Sequence, residues 1–140
     1  MTIIHSVKPP ALGVAALAAT VLLAGCGGTG PSGNPATTAQ NFLHALSDGD
    51  PGALCQVTAD ERTGPAKKGS AEWDECLATM DQALAEAGNE FAEYSGVTVD
   101  AATVDGTEAT VSKDQIKGVA EPAFAIDLTM FGDTWYVTDF

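Results

Sequence analysis

Cations are scarce in this 140-residue chain: six Lys and Arg stand against nineteen Asp and Glu, a formal net charge of −13 at pH 7. Such a surface repels phosphate backbones and anionic headgroups, which argues against a nucleic-acid partner and against a polybasic membrane anchor. Histidine is rarer still, at two residues, His5 and His44. A zinc centre takes about four ligands, so zinc is not expected; the sequence shows no other metal-ligand cluster, and no metal is expected. Cysteine numbers three, and no two form a C-x-x-C redox pair. The chain has no Gly-rich phosphate loop and no G-x-S-x-G. Asp48-Gly49-Asp50 opens like a calcium loop, but Ala53 and Ala59 stand where that loop requires Gly and Glu. A long apolar run is missing too. Residues 11–25 are apolar and Ala-rich, yet as a helix they reach only about 22 Å. A hydrocarbon core of about 30 Å calls for about 20 residues. This segment is too short to be a membrane span.

Its length suits the apolar region of a signal peptide, and it ends in Leu23-Ala24-Gly25-Cys26. Those four residues look like a bacterial lipobox. The likeness implies cleavage before Cys26, a diacylglycerol on its thiol and an acylated amine, with residues 1–25 lost as a signal peptide. Removal takes away Lys8 and no carboxylate, so the mature charge falls to −14. An acidic chain cannot hold itself to a bilayer, and acyl chains, two or more for stable binding, must do so. The expected location is the extracytoplasmic face of the cell membrane. Cys55 and Cys76 then remain as an even pair in an oxidising compartment. A structural disulfide is the expected reading; it closes a loop of about 20 residues, for which chain entropy gives about 3 kcal/mol.

Residues 26–33 contain GGTGPSG and read as a flexible tether. A single domain then occupies residues 34–140, room for one core. Asn34-Pro35 starts a first helix, with Ala36, Ala39, Phe42, Leu43 and Leu46 as its stripe, and Gly49 stops it. His44 lies off that stripe and is read as solvent-facing. Asp50-Pro51 starts a short second helix holding Ala53, Leu54, Cys55 and Val57. Residues 58–69 read as a surface loop, with three of the five remaining cations in Arg62, Lys67 and Lys68. Ser70 caps a third helix carrying Trp73, Cys76, Leu77, Met80, Leu84 and Ala87 at helical spacing, and Gly88 ends it. A Cys55–Cys76 bond would staple the second helix to the third from within the core.

From about Phe91 the period changes from 3.6 to 2. Val97, Val99, Ala102 and Val104 slip in parity at Ala101-Ala102, which predicts a β-bulge. Asp105-Gly106 predicts a two-residue hairpin turn pairing Val104 with Thr107 and Ala102 with Ala109. Phe124, Ile126, Leu128 and Met130 alternate strictly. Gly132-Asp133 then turns the chain so that Trp135 and Val137 return on the same face. Asp127, Thr129, Phe131, Tyr136, Thr138 and Phe140 are left on the other. Three aromatics on a face that should be polar make Phe131, Tyr136 and Phe140 the interface candidates. Trp73, Met80, Leu128 and Trp135 are read as core, or as the lining of a pocket. The class is α+β, three N-terminal helices packed on a curved antiparallel sheet of about four strands.

At this point the chain resembles the nuclear-transport-factor-2-like (NTF2-like, or cystatin-like) superfamily, particularly small exported actinobacterial lipoproteins. The likeness spans about residues 35–140. It is carried by Ala39-Gln40-Asn41-Phe42-Leu43 with Gly49-Asp50, by Cys55 and Cys76, by Asp105-Gly106 before Ala109-Thr110-Val111, and by Trp135-Tyr136-Val137. It implies a cone whose interior holds a small apolar molecule or, in some members, an active site built on an Asp or His base with Tyr or Asp donors. Tyr94, Tyr136, Asp100 and Asp127 are the available Asp/Tyr residues, and nothing in their spacing singles them out. The expectation is therefore a non-catalytic lipoprotein with no cofactor. It would act as an interaction or accessory module toward an envelope protein or a second copy, or alternatively as a binder of a small apolar, lipid-like ligand.

Overall fold

The structure, a computed structural model, describes residues 30–140; residues 1–29, and with them the signal segment and Cys26, lie outside the described residues. The fold is α+β. Helix α1 spans Pro35–Asp48; the Asn34 side chain accepts the N–H groups of Ala36 and Thr37, and Gly49 closes the helix at a φ of 64°. A left-handed C-terminal residue is strained for any side chain with a Cβ, which is why glycine ends the helix here. Helix α2, Pro51–Val57, is capped by Asp50 and buries Ala53, Leu54, Cys55 and Val57. Helix α3, Ala71–Ala87, is capped by Ser70 and buries Trp73 alone. It packs chiefly on α2, with Met80 and Leu84 only reaching the edge of the core.

Past α3 the chain departs from expectation. A 3-10 helix occupies Glu90–Gly96, so four helical elements, not three, precede the strands. Three residues per turn place Phe91 and Tyr94 on one side of it. There they meet Phe124, at 6.5 and 5.8 Å between ring centroids, and the Ala123 N–H donates to the Tyr94 hydroxyl at 3.0 Å. Tertiary packing of two aromatics overrides the alternating pattern.

There are two antiparallel sheets rather than one. Strand β1, Thr98–Val99, pairs with β4, Ile116–Lys117. The larger sheet runs β2 (Thr103–Asp105), β3 (Glu108–Val111), β5 (Ile126–Phe131), β6 (Thr134–Asp139) in that order. The parity slip at Ala101-Ala102 is thus no bulge: it is where the chain leaves one sheet and joins the other. The first hairpin turns one residue later than expected, so each partner is shifted by two. Asp105 faces Glu108 and Val104 faces Ala109, because Gly106, at a φ of 62°, takes the first loop position, where positive φ is needed. Val104 shares the face of Ala109, but on the edge strand it stays 51% exposed.

The last hairpin forms as its alternation predicts, Met130 opposite Trp135 and Leu128 opposite Val137 across Gly132-Asp133. One feature at its end was not legible. Leu128 faces Val137 but Asp127 faces Asp139, so Thr138 is an extra residue, a bulge that reverses parity. Phe140 is therefore turned to the core side, 4.7 Å from the Phe42 ring and 5.6 Å from Phe124. It does not belong to the outer aromatic face.

The outer edge of β6 is occupied by two short segments. The Trp135 N–H donates to the Ser32 carbonyl, and the Ala59 N–H to the Val137 carbonyl, both at 2.9 Å. Thr38, a fully buried polar side chain, locks the first: its hydroxyl accepts the Ser32 N–H at 2.9 Å and donates to the Trp135 carbonyl at 3.3 Å. Asn41 donates its side-chain N–H to the Gly30 carbonyl at 2.8 Å. Residues 30–33 of the expected tether are thus docked on the domain.

Candidate functional site

The space between α1 and the sheet is filled. Phe42, Leu43, Leu54, Val111, Ile126, Leu128 and Val137 interlock there with almost no exposure. A concavity lies elsewhere, beside Cys55 of α2. It is a groove of about 800 Å³, walled by α3, by residues 58–70 and by the end of β6. That volume lies within the usual range of about 300–1,000 Å³ for small-molecule sites.

Three local devices build it. The Cys55–Cys76 disulfide, with Cα atoms 6.0 Å apart, holds α3 to α2 and itself lines the groove. The 58–70 connection is stiffened at Asp60, whose carboxylate accepts the N–H groups of Arg62 and Thr63, each at 2.9 Å, and the Thr63 hydroxyl at 3.2 Å. Gly64 then comes close under the Phe131 ring: a Cβ there would lie 3.5 Å from it, and its φ is 81°. The bulge at Thr138 is the third device, since it sends Phe140 to the groove instead of to the outer face.

Met80, Val137, Phe140 and the disulfide give the groove apolar walls, while Asp60, Glu72, Glu75 and Lys67 supply its charge. The Asp60 carboxyl is held below the usual carboxylate range, first by the Thr63 and Arg62 backbone N–H groups. Glu72, in the first turn of α3, is lowered by its own backbone N–H and by the Ser70 hydroxyl. Lys68 is engaged outside the groove, its ammonium 5.7 Å above the centre of the Trp73 ring.

The sequence-predicted residues fall as follows. Cys55 and Cys76 are bonded. Trp73 is buried under Lys68, Met80 stands in the groove wall, and Leu128 and Trp135 are core, 1% and 2% exposed. Phe131 and Tyr136 remain together on the outer face, edge to face with ring centroids 6.0 Å apart, and Phe140 is separated from them. His44 is not solvent-facing as expected: it is half-buried, and its Nε2–H donates to the Val97 carbonyl at 2.9 Å. Of the Asp/Tyr residues, Tyr94 holds the Ala123 N–H, and Asp127 accepts the Thr110 hydroxyl at 2.7 Å on the outer face. Sequence reasoning missed the groove and its carboxylates. Periodicity reports which face of α3 turns inward, not how deep that face goes, and no local signal distinguishes Glu72 and Glu75 from other exposed acids.

Comparison with protein-family models, with curated proteins and with solved structures finds no match to this chain.

Proposed function

We propose that this chain is an exported, lipid-anchored, non-catalytic binding module, a divergent relative of the NTF2-like superfamily that has moved its ligand site from the cone interior to the outside groove. The groove carries this reading: about 800 Å³, mostly apolar, framed by a covalent cross-link. Its contents do not suit acid–base catalysis. A general acid or base is poised near neutral pH by an upward shift in a carboxyl, whereas Asp60 and Glu72 are shifted down and open to water. Among the described residues no helix is long and apolar enough to cross a membrane; the proposed anchor is an acylated Cys26.

Two measurements test this. Cys26→Ala should abolish lipid labelling and release the protein from the membrane fraction; retention without label would remove the anchor from the reading. Native mass spectrometry of the chain recovered from its host should find a reproducible added mass. Thr79→Trp fills the groove from an exposed position on α3 and should eliminate that mass.

A second reading keeps the outer sheet face as a docking surface for an envelope protein or a second copy. The Phe131–Tyr136 pair on a threonine-rich face favours it. Tyr136→Ala should then weaken self-association without touching the added mass, and unchanged association would set this face aside.

A further inference from the structure

Phe140 is one of two large hydrophobic side chains left widely exposed among the described residues, and it is the one inside the groove. One side of its ring rests on Phe42 and Phe124, and half its surface stays open. Together with Met80, Val137 and the disulfide it offers an apolar channel wall rather than a polar catalytic surface.

The charge on this wall is one-sided. Asp60, Glu72 and Glu75 face the groove against Lys67 alone, and Lys68 is occupied with Trp73. That balance disfavours an anionic head group and favours a cationic one.

The groove is also placed near the expected anchor. Ser32 pairs with β6 at Trp135, while the Thr58–Ala59 wall of the groove joins the same edge at Val137. Two strand residues separate these points by about 7 Å. With Gly30 held by Asn41, the chain from Cys26 to Gly30 is four residue steps, at most about 14 Å at full extension. By the same arithmetic, six residue steps from Cys26 to Ser32, one strand spacing and two residues of β6 keep the Thr58–Ala59 wall within about 35 Å of an acylated Cys26.

Resting on the groove reading above, we infer that its ligand is a membrane-derived amphiphile, an apolar tail lying on Phe140, Met80 and the disulfide, and an amine-bearing head held by Glu72, Glu75 and Asp60. The tail supplies area and the carboxylates choose the head.

The test uses the intact lipoprotein in phosphatidylcholine vesicles doped with a photoreactive single-chain alkyl probe carrying either a trimethylammonium or a sulfate head. Cross-links are mapped by peptide mass spectrometry. The ammonium probe should label the peptides holding Met80 and Phe140 about five-fold more than the sulfate probe, the discrimination expected of two or three exposed ion pairs. Glu72→Gln with Glu75→Gln should bring the two probes level while groove labelling persists, and Thr79→Trp should remove the labelling from both. Equal or reversed labelling in the unaltered protein overturns the head-group assignment and leaves the groove reading standing. Labelling that avoids the groove for both probes overturns the amphiphile. The added mass seen with the unaltered chain and lost in Thr79→Trp then decides separately whether the groove binds something else.

Discussion

Trp135→Ala should lower the stability of the domain by about 3–5 kcal/mol, the range for emptying a large aromatic site in a packed core. Trp135 is 2% exposed on β6, opposite Met130, in the strand that α1 packs against. Its neighbours are fixed on rigid elements, so the site cannot collapse cheaply. The backbone adds to the effect, because the Trp135 N–H and carbonyl are the partners of Ser32 and Thr38. Relaxation of β6 into the vacated space would therefore loosen the docked residues 30–33 as well. Against a total of about 5–15 kcal/mol for a typical domain, the loss is a large fraction. Urea unfolding with both variants at equal slope is the check: the midpoint should fall by about 2 M. A shift under about 0.5 M would show that Trp135 is not packed as described. Tyr136→Ala, one position along and on the outer face, should change the midpoint little.

The contrast between neighbouring positions 135 and 136 was legible without coordinates, because alternation over residues 124–137 is strict and its turn contains the glycine that the geometry needs. Helices α1 and α2 were legible for the same kind of reason: Asn34-Pro35 and Asp50-Pro51 satisfy orphan N–H groups locally, so their starts do not depend on the rest of the fold. What failed was whatever distant contacts decide. The Glu90–Gly96 turn exists because Phe91 and Tyr94 find Phe124, thirty and more residues away. The division into two sheets rests on pairing across the chain: past β1 the Asp100 N–H still donates to the Gln115 carbonyl at 3.0 Å, next to β4, before the chain crosses to β3. His44 turned inward because the Val97 carbonyl needed a donor. At the candidate site one residue of bulge mattered most. Without the extra position at Thr138, Phe140 would sit on the outer face with Phe131 and Tyr136, as expected from simple alternation, and the groove would lose its largest apolar side chain.

Replacing both Cys55 and Cys76 with serine should separate stability from site. The closed loop has a sequence separation of 21, and removing the constraint on the unfolded chain costs about 3 kcal/mol in the entropy model. The loss should not be spread evenly. Helix α3 buries only Trp73 and packs on α2, so the cross-link carries much of its attachment, while α1 and the sheet share a core that needs neither cysteine. Hydrogen exchange should accordingly show the amides of Ala71–Ala87 falling to the protection of a frayed helix, with β5, β6 and α1 still closed. The added mass in native spectra and the photolabelling at Met80 should vanish together, because the wall that carries Met80 is no longer held. Serine at both positions leaves no thiol to be oxidised elsewhere, and Cys55→Ala with Cys76→Ala repeats the test without burying a hydroxyl at Cys55, which is 1% exposed. Persistent protection across α3 would mean that its contact with α2 is sufficient. The disulfide would then be a brace for the unfolded state and not the hinge on which the groove depends.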